Sequence, residues 1–272
     1  MLSVGIVGLP NVGKSTLFNT LLKKQQAVVA NYPFTTIEPN VGIVPVPDER
    51  LEELGAIIKA HEKIQASFQV IPATVRFVDI AGLVKNAHKG EGLGNQFLAH
   101  IREADALVLL LRDFSDETVA YAGPQSPEEQ LEILKEELSQ AKIEKPSLMV
   151  VNTDHPGPAG KFLTINAKSG EGIDRLIKEA YRLLNLITFY SYNEKELRAW
   201  SIKEGGFAPE AAGKIHSDFE KAFIKAEVIQ ANKLIEATSW QKAREKGFLR
   251  QEGKNYPVQD GDIIYFKAGR RL

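Results

Sequence analysis

Residues 8–16 read Gly-Leu-Pro-Asn-Val-Gly-Lys-Ser-Thr and decide the fold of this chain. They match the pattern G-x-x-x-x-G-K-[ST], and they stand between an apolar run at residues 2–7 and a helix-forming stretch. The two glycines let the backbone curl so that its N–H groups point at a phosphate, and the N-terminus of the following helix adds its dipole. The sequence therefore predicts a phosphate-binding loop between a strand and a helix.

The residues of this loop have separate expected roles. Lys14 neutralises the β- and γ-phosphates of a nucleotide and takes part in catalysis, and the Ser15 hydroxyl ligates Mg²⁺. The residues expected to hold the phosphates are Asn11, Val12, Gly13, Lys14, Ser15 and Thr16. The loop thus predicts a nucleoside triphosphate as the ligand and Mg²⁺ as the cofactor.

A second motif, Asp79-Ile80-Ala81-Gly82, ends the apolar run at residues 75–78. In this position after a phosphate-binding loop, Asp79 is expected to hold a Mg²⁺-bound water, and the Gly82 amide is expected to bond the γ-phosphate during catalysis. A D-x-x-G tetrad alone carries little information. It becomes informative here because it follows a buried strand downstream of the loop.

The segment at residues 31–40, NYPFTTIEPN, lies between the two motifs. A threonine hydroxyl in this position ligates Mg²⁺ only while the γ-phosphate is present, which would make the segment a switch. Thr36 is preferred over Thr35 for this role. The alternative is an ordinary surface loop, because Pro33 and Pro39 are typical turn residues.

Apolar runs alternate with helical patterns through the first two-thirds of the chain. Strands are predicted at residues 2–7, 74–79, 106–111 and 147–152. This alternation is typical of a parallel-rich sheet covered by helices, in which ligands bind at the carboxyl ends of the strands. A helix is predicted at residues 126–143, with Ser126 as its cap and Glu129 reaching back.

The pattern changes after residue 185. Paired strands are predicted at 186–190 and 196–202, a helix over most of 209–228, and short strands at 249, 256–258 and 263–266. The sequence thus predicts an α/β domain at 1–185, with a short helical segment at 124–143. A small α+β domain follows at 186–272.

The bulk composition narrows the function. The 272 residues contain no cysteine, which excludes disulfides, zinc fingers and thiol catalysis. The net charge of −1 gives no general attraction to nucleic acid, so a DNA partner is not expected. The first residues are a short apolar run without a preceding basic region, and no apolar run is long enough to span a membrane. We therefore expect a cytoplasmic protein that does not associate with membranes.

Several long stretches resemble the YchF/Obg-like ATPase family. They are residues 8–19, 31–42 and 77–103, and in the C-terminal part residues 211–229 and 252–266, which are similar to that family's TGS domain. The resemblance covers nearly the whole chain. It implies a Ras-like P-loop NTPase domain and a ubiquitin-like β-grasp TGS domain. It also implies a preference for ATP over GTP and association with the ribosome, through the large subunit.

The choice of base depends on the tetrad Asn152-Thr153-Asp154-His155. GTP-specific relatives carry N-K-x-D here, and the aspartate accepts two hydrogen bonds from guanine. His155 stands in that carboxylate position and also departs from the N-x-x-E of the family, so discrimination for guanine is lost. Asp154, shifted by one place, could still accept from guanine, which keeps GTP open. The residues expected around the base are Asn152, Thr153, Asp154 and Ala167, the last in a loop at 166–168 that resembles the loop closing over the base in related proteins.

Two features predict slow intrinsic hydrolysis. Leu83 stands where Ras-like enzymes carry a water-orienting glutamine, and leucine cannot hydrogen-bond to water. Ala120 takes the place of a functional histidine of the family, for which His88 is a weak substitute. Asn11 resembles the P-loop asparagine that helps hold K⁺ in related potassium-activated enzymes, and such an ion could supply the missing positive charge.

The interval between Asp113 and the base-recognition strand has room for a single helix, whereas the family carries a long helical insertion there. The chain is either a shortened relative or lacks part of the natural sequence. Three functions remain open: an ATPase switch that controls ribosome binding, a GTPase of similar architecture, and a binding adaptor that holds nucleotide and barely hydrolyses it.

Overall fold

The structure is a computed structural model that describes residues 1–29, 40–61, 68–80, 93–116, 121, 123–158 and 160–269. The chain forms two compact units, the first of Met1–Val46 and Thr74–Leu184 and the second of Pro47–Ala73 and Asn185–Leu272. In chain order the elements are β1 (Ser3–Gly8), α1 (Lys14–Val29), β2 (Val41–Pro45), α2 (Glu49–His61), β3 (Gln69–Ile71), β4 (Thr74–Asp79), α3 (Leu93–Glu103), β5 (Ala106–Asp113), α4 (Pro127–Gln140), β6 (Ser147–Thr153), β7 (Leu163–Ile165), α5 (Ile173–Leu183), β8 (Leu186–Tyr192), β9 (Glu196–Lys203), α6 (Ala208–Ile215), α7 (Ser217–Lys221), β10 (Phe223–Gln230), α8 (Ala231–Ala237), α9 (Trp240–Glu245), β11 (Arg250–Glu252) and β12 (Asp262–Ala268).

The first unit is built on a sheet with the order β2-β4-β1-β5-β6-β7. All neighbouring strands are parallel except β2, which pairs antiparallel with β4 at the edge and makes the sheet mixed. The central strands β1 and β5 are buried along almost their whole length. Because β1, β4, β5 and β6 are parallel, their carboxyl ends meet at one edge of the sheet, where ligands bind in such folds. Residues 8–16 and Asp79 both lie at this edge.

Helix α4 confirms the predicted cap at Ser126 but with a different partner. The Ser126 hydroxyl accepts hydrogen bonds from the backbone N–H groups of Glu128, at 3.2 Å, and Glu129, at 3.4 Å. It also donates to the carboxylate of Glu128 at 3.1 Å, where the sequence predicted Glu129. The cap satisfies N–H groups that have no partner inside the helix and fixes where α4 begins.

The second unit is built on a separate sheet with the order β11-β10-β12-β8-β9-β3. Strands β8 and β9 form an antiparallel pair, β12 lies parallel to β8, and β10 pairs antiparallel with both β12 and β11. Helix α6 packs against β9 and β10, and the shared core includes the buried side chains of Phe189, Ile202, Ala212 and Phe223. A face of this sheet is therefore covered by a helix, as an α+β domain requires.

The helix predicted over most of residues 209–228 is present as α6 and α7, which are separated at His216, and the prediction is wrong from Phe223 onward. Helix α6 ends before His216, whose backbone is extended (φ −157°, ψ 133°), and Phe223–Gln230 is strand β10. The local pattern of residues 223–230 is ambiguous because apolar side chains recur at both helical and strand spacing. Pairing with β12 and β11 on both sides settles the conformation, since a central strand satisfies its backbone hydrogen bonds in two ladders.

Residues 47–73 were predicted within the N-terminal domain but belong to the second unit. Strand β3 pairs with β9, and α2 packs against α8. The attachment is reinforced by Arg50, which donates to the Asp48 carboxylate at 2.9 Å and to the Asp260 carboxylate at 2.8 Å. The Tyr190 hydroxyl also donates to Asp48. These four residues join two parts of the unit that are far apart in the sequence.

The Asp48 carboxylate is stabilised in its ionised form. Burial alone would raise its pKa, but hydrogen bonds from Arg50 and Tyr190 and the charge of the guanidinium outweigh burial and hold the pKa below the ordinary value of 3.8. A carboxylate whose pKa is lower in the folded state stabilises the fold above its unfolded-state pKa. That contribution disappears as the pH falls through the folded-state pKa.

We expect Asp48→Asn to lower the free energy of unfolding of the second unit by about 2 kcal/mol at neutral pH, because Arg50 and Tyr190 lose a charged acceptor. The difference from wild type should begin to shrink below a pH of about 3.8, where Asp48 of the unfolded chain becomes protonated. It should disappear once the pH falls below the lower pKa of Asp48 in the folded state. Urea titrations followed by tryptophan fluorescence measure this, since Trp200 and Trp240, the two tryptophans of the chain, both lie in the second unit.

The matched control is Glu194→Gln, which makes the same change from carboxylate to amide at an exposed residue of the same unit. Its transition should stay close to that of wild type. If Asp48→Asn unfolds like wild type at pH 7, the Asp48 carboxylate does not hold residues 47–73 in the second unit.

Candidate nucleotide-binding site

The phosphate-binding loop has a backbone that only particular residues tolerate. Gly13 has φ 94° and Asn11 has φ 61°, both in the left-handed region. A Cβ on Gly13 would lie 2.4 Å from Asn152 Nδ2, and a Cβ on Gly8 would lie 2.6 Å from the Leu110 carbonyl oxygen. Both glycines of the motif are therefore required by close approach, and Gly13 is required by conformation as well.

The side chain of Asn152, on β6, connects the phosphate-binding loop to the loop at residues 166–168. Its Nδ2 donates to the Val12 carbonyl at 3.1 Å, and its Oδ1 accepts from the Ala167 N–H at 2.9 Å. The Ala167 carbonyl in turn accepts from the Thr20 hydroxyl on α1 at 2.6 Å. One buried amide therefore fixes the distance between the phosphate-binding loop and the loop at 166–168.

Lys14 and Asp79 form the charged centre of the site. Lys14 Nζ donates to the carbonyls of Gly8 and Leu9, each at 3.0 Å, which holds the ammonium over the loop. Burial lowers the pKa of Lys14, and the charge of Asp79 opposes this shift. Burial likewise raises the pKa of Asp79, opposed by Lys14. Both charges are costly without a partner, so the site favours a ligand that brings phosphate charge and a cation together.

A cleft of about 540 Å³ opens along the loop. It is lined by Pro10, Asn11, Gly13, Lys14, Ser15, Thr16, Phe114, Ser115, Asp116, Asn152, Asp154, Asn166, Ala167 and Lys168. The lining joins the phosphate-binding loop at one end to residues that follow β5, β6 and β7 at the other. Its volume and mixed polar lining are those of a small-molecule site.

Most of the predicted nucleotide contacts come together in this cleft. Of the predicted site residues that the structure describes, Val12, Thr153 and Asp79 do not line the cleft. Val12 is fully buried and takes part through its backbone, Thr153 is also buried, and Asp79 is half-buried beside Lys14. Thr36 and Gly82 lie outside the described residues, as do Leu83, His88 and Ala120.

Within the part of the chain that the structure describes, Asp154 lines the cleft and His155 does not. Asp154 Oδ2 accepts from the Ser115 backbone N–H at 3.2 Å, whereas the His155 N–H turns back to the Thr153 hydroxyl at 3.4 Å. Of the two candidates for the base-recognising position, Asp154 is therefore the one that lines the cleft, and its role in choosing the base stays a prediction.

Sequence reasoning missed the wall formed by residues 114–116. These residues follow directly on β5, and a parallel strand that ends at the ligand edge is a signal that was available. Phe-Ser-Asp matches no phosphate or metal motif, so only the structure shows that these residues line the cleft.

The mixed sheet, the loop closed on Lys14 and the Asn152 bridge define a Ras-like P-loop NTPase domain. The family model described as "50S ribosome-binding GTPase" matches residues 3–153, and the model "YchF-GTPase_C", described as a protein of unknown function, matches residues 186–269. The chain belongs to the YchF family. Its described residues include no helix that is long and apolar enough to cross a membrane.

Alignments with known relatives extend over nearly all of this chain and of each relative. The chain is 35% identical to the ribosome-binding ATPase YchF of Mycoplasma genitalium over 371 residues, covering 98% of this chain and 99% of that protein. It is 35% identical to the protein of the same name from Bacillus subtilis over 369 residues, covering 98% and 99%. Both alignments are longer than the 272 residues of this chain, so these relatives contain residues that have no counterpart here. The structure of the Schizosaccharomyces pombe YchF GTPase superposes with a TM-score of 0.78 at 28% identity, covering 98% of this chain and 97% of that one.

We expect Gly13→Ala to weaken ATP binding by more than about 30-fold, because the new Cβ displaces Asn152 and the backbone is strained at positive φ. Equilibrium titration with a fluorescent ATP analogue measures the change. Gly205→Ala is the matched control, since Gly205 also has a positive φ, 83°, but no described atom lies within 4 Å of an added Cβ. The control should bind ATP like wild type, and equal affinities of Gly13→Ala and wild type would contradict the packing of Asn152 on the loop.

Proposed function

We propose that this protein is a nucleotide-dependent switch that binds and hydrolyses ATP with Mg²⁺ and associates with the ribosome in the cytoplasm. The observation that carries the proposal is the closed loop, in which Lys14 and the Asn152 bridge shape a cleft for a nucleoside triphosphate. The printed names of the two bacterial relatives, ribosome-binding ATPases, support the reaction and the partner.

The proposed Mg²⁺ ligands are Ser15, Asp79 and Thr36. Ser15 is exposed in the cleft, and Asp79 is close enough to Lys14 for the charges to affect each other. Hydroxyl and carboxylate oxygens are the donors that Mg²⁺ prefers, so the described part of the donor set fits this ion. When bound, Mg²⁺ neutralises charge on the phosphates.

The proposed catalytic residues are Lys14, Gly82 and Asn11. Lys14 stabilises negative charge on the transferred phosphoryl group, and the Gly82 amide binds its oxygens. Asn11 lines the cleft, where its side-chain oxygen is a proposed ligand of K⁺. Because leucine at position 83 cannot orient water, a potassium ion or the ribosome must supply part of the catalysis, and the free protein is proposed to be slow.

The base is proposed to be adenine, held between residues 114–116, Asn152, Asp154 and the loop at 166–168. The Asp154 carboxylate can only accept hydrogen bonds, so it can receive one from the 6-amino group of adenine. The same carboxylate would also accept from guanine, and the fission yeast structure carries the name GTPase. GTP hydrolysis is thus the second candidate function, and the position of Asp154 in the cleft is the observation that favours it.

The second unit contains the proposed TGS domain at residues 186–272, a β-grasp fold. The order β10-β12-β8-β9, with β12 parallel to β8 and α6 packed on the sheet, supports this assignment. A compact unit with its own core is suited to holding a fixed surface toward a partner. We propose that it contributes to binding of the large ribosomal subunit.

Titration with ATP and GTP tests the choice of nucleotide. We expect tighter binding of ATP, and we expect Asp154→Asn to weaken ATP binding by less than about tenfold, because one acceptor oxygen remains. Clearly tighter binding of GTP than of ATP would contradict the proposal that the bound base is adenine. Lys14→Ala should abolish binding or turnover of either nucleotide, while Lys135→Ala, an exposed lysine on α4, should behave like wild type.

Single-turnover hydrolysis with and without large ribosomal subunits separates a switch from an adaptor. We expect slow hydrolysis by the free protein, acceleration by ribosomal subunits, and a faster rate in potassium than in sodium buffer. Asn11→Gly removes the amide but keeps the left-handed backbone accessible, so it should abolish the difference between the two cations. Hydrolysis that stays negligible under all conditions supports the adaptor, and equal rates in both buffers contradict the potassium site.

A further inference from the structure

Arg112, near the end of β5, places a buried guanidinium against the phosphate-binding loop. The residue is only 6% exposed. Its Nη1 donates to the carbonyl oxygen of Asn11 at 2.8 Å, and its Nε donates to the carbonyl oxygen of Phe114 at 3.3 Å. The phosphate, metal and base contacts proposed above do not involve this side chain.

The guanidinium is held from several directions. It lies over the ring of Phe114, with 4.1 Å from Cζ to the ring centroid, and over the ring of Tyr121, at 4.7 Å. The backbone of Arg112 is fixed by Gln130 on α4, whose Oε1 accepts from its N–H and whose Nε2 donates to its carbonyl, both at 2.8 Å. Gln130 is fully buried. The arginine is therefore pre-organised, with little conformational freedom left to lose.

The contact with Asn11 bears on the direction of the loop amides. A peptide unit is planar, and in the trans form its C=O and the following N–H point in opposite directions. The described peptide bonds are all trans. When Arg112 holds the Asn11 carbonyl, the Val12 N–H must point away from the guanidinium. Asn152 does the same to the next unit, since it holds the Val12 carbonyl and so turns the Gly13 N–H away from itself.

Asn11 also has an unfavourable backbone conformation that needs support. Its φ of 61° is uncommon for a residue other than glycine, although asparagine tolerates it better than most. Such conformations persist where surrounding contacts impose them. The hydrogen bond from Arg112 is a contact of this kind.

We propose that Arg112 is a positioning residue for the nucleotide's phosphates, because it fixes the peptide unit between Asn11 and Val12 so that the loop amides converge on the ligand. The proposal rests on the proposed nucleotide-binding function. Phe114 and Gln130 of helix α4 both hold Arg112 in place, so they also influence the position of the loop amides indirectly.

The proposal predicts a particular kinetic signature. A misaligned loop amide weakens binding of the ground state and the transition state alike, so KM rises while kcat changes little. A purely structural role has the opposite signature, because a smaller folded fraction lowers the apparent kcat and leaves KM unchanged. In a slow enzyme KM approximates the dissociation constant, so the comparison can be read as binding.

The experiment measures steady-state ATP hydrolysis and, independently, the dissociation constant of a fluorescent ATP analogue for full-length variants. For Arg112→Gln we expect KM to rise about tenfold, the equivalent of one net hydrogen bond, with kcat within about twofold of wild type. Arg112→Lys keeps the charge but cannot make both carbonyl contacts, so its KM should lie between those of wild type and Arg112→Gln. Arg182→Gln is the control, an exposed arginine on α5 paired with Glu179, and its KM should equal that of wild type.

A KM of wild-type value in both Arg112 variants overturns the proposal, whatever happens to kcat. If Arg112→Gln and Arg112→Lys do not fold, Tyr121→Leu decides, because it leaves the guanidinium in place and removes one of its aromatic contacts. KM should then rise about threefold, and an unchanged KM overturns the proposal. If wild type neither binds nor hydrolyses ATP, the proposed function itself fails. Normal wild-type binding with unaffected variants defeats only the role of Arg112.

Discussion

The nucleotide cleft depends on one buried amide, that of Asn152. Its two ends hold the Val12 carbonyl and the Ala167 N–H, so the loop after β1 and the loop after β7 take their spacing from a single side chain. The same amide lies where any side chain on Gly13 would have to go. An amide suits this place because it offers a donor and an acceptor in a rigid plane, and a buried group with both ends satisfied fixes a unique arrangement.

The charges of the cleft are arranged around this fixed frame. Lys14 and Asp79 are each partly desolvated, and each opposes the shift that burial causes in the pKa of the other. Charges held in this way are poorly solvated and imperfectly neutralised, so they interact strongly with a ligand that replaces water. The arrangement explains why a phosphate group with a bound cation is a better match than either alone.

The two units divide the sequence in a way that local patterns did not reveal. The four strands predicted in the N-terminal domain are present, because apolar runs followed by polar motifs are typical of parallel strands at a ligand edge. Helix α2 and strand β3 are ordinary elements, but their partners are α8 and β9, far along the chain. The helix prediction for residues 223–228 failed for a related reason, since pairing with strands on both sides outweighed helical periodicity.

The sequence by itself determined the chemistry of the phosphate end, because residues 8–16 are contiguous and their spacing alone dictates a loop whose amides and lysine face an anion. Only the tertiary structure decided which residues of 152–155 line the cleft, which segment forms a further wall of it, and which side chain supports Asn11. Asp154 and Phe114 reach the cleft, and Arg112 reaches Asn11, through the order and register of β1, β5 and β6. Strand order and register arise from contacts between distant parts of the chain, and no local pattern of residues encodes them.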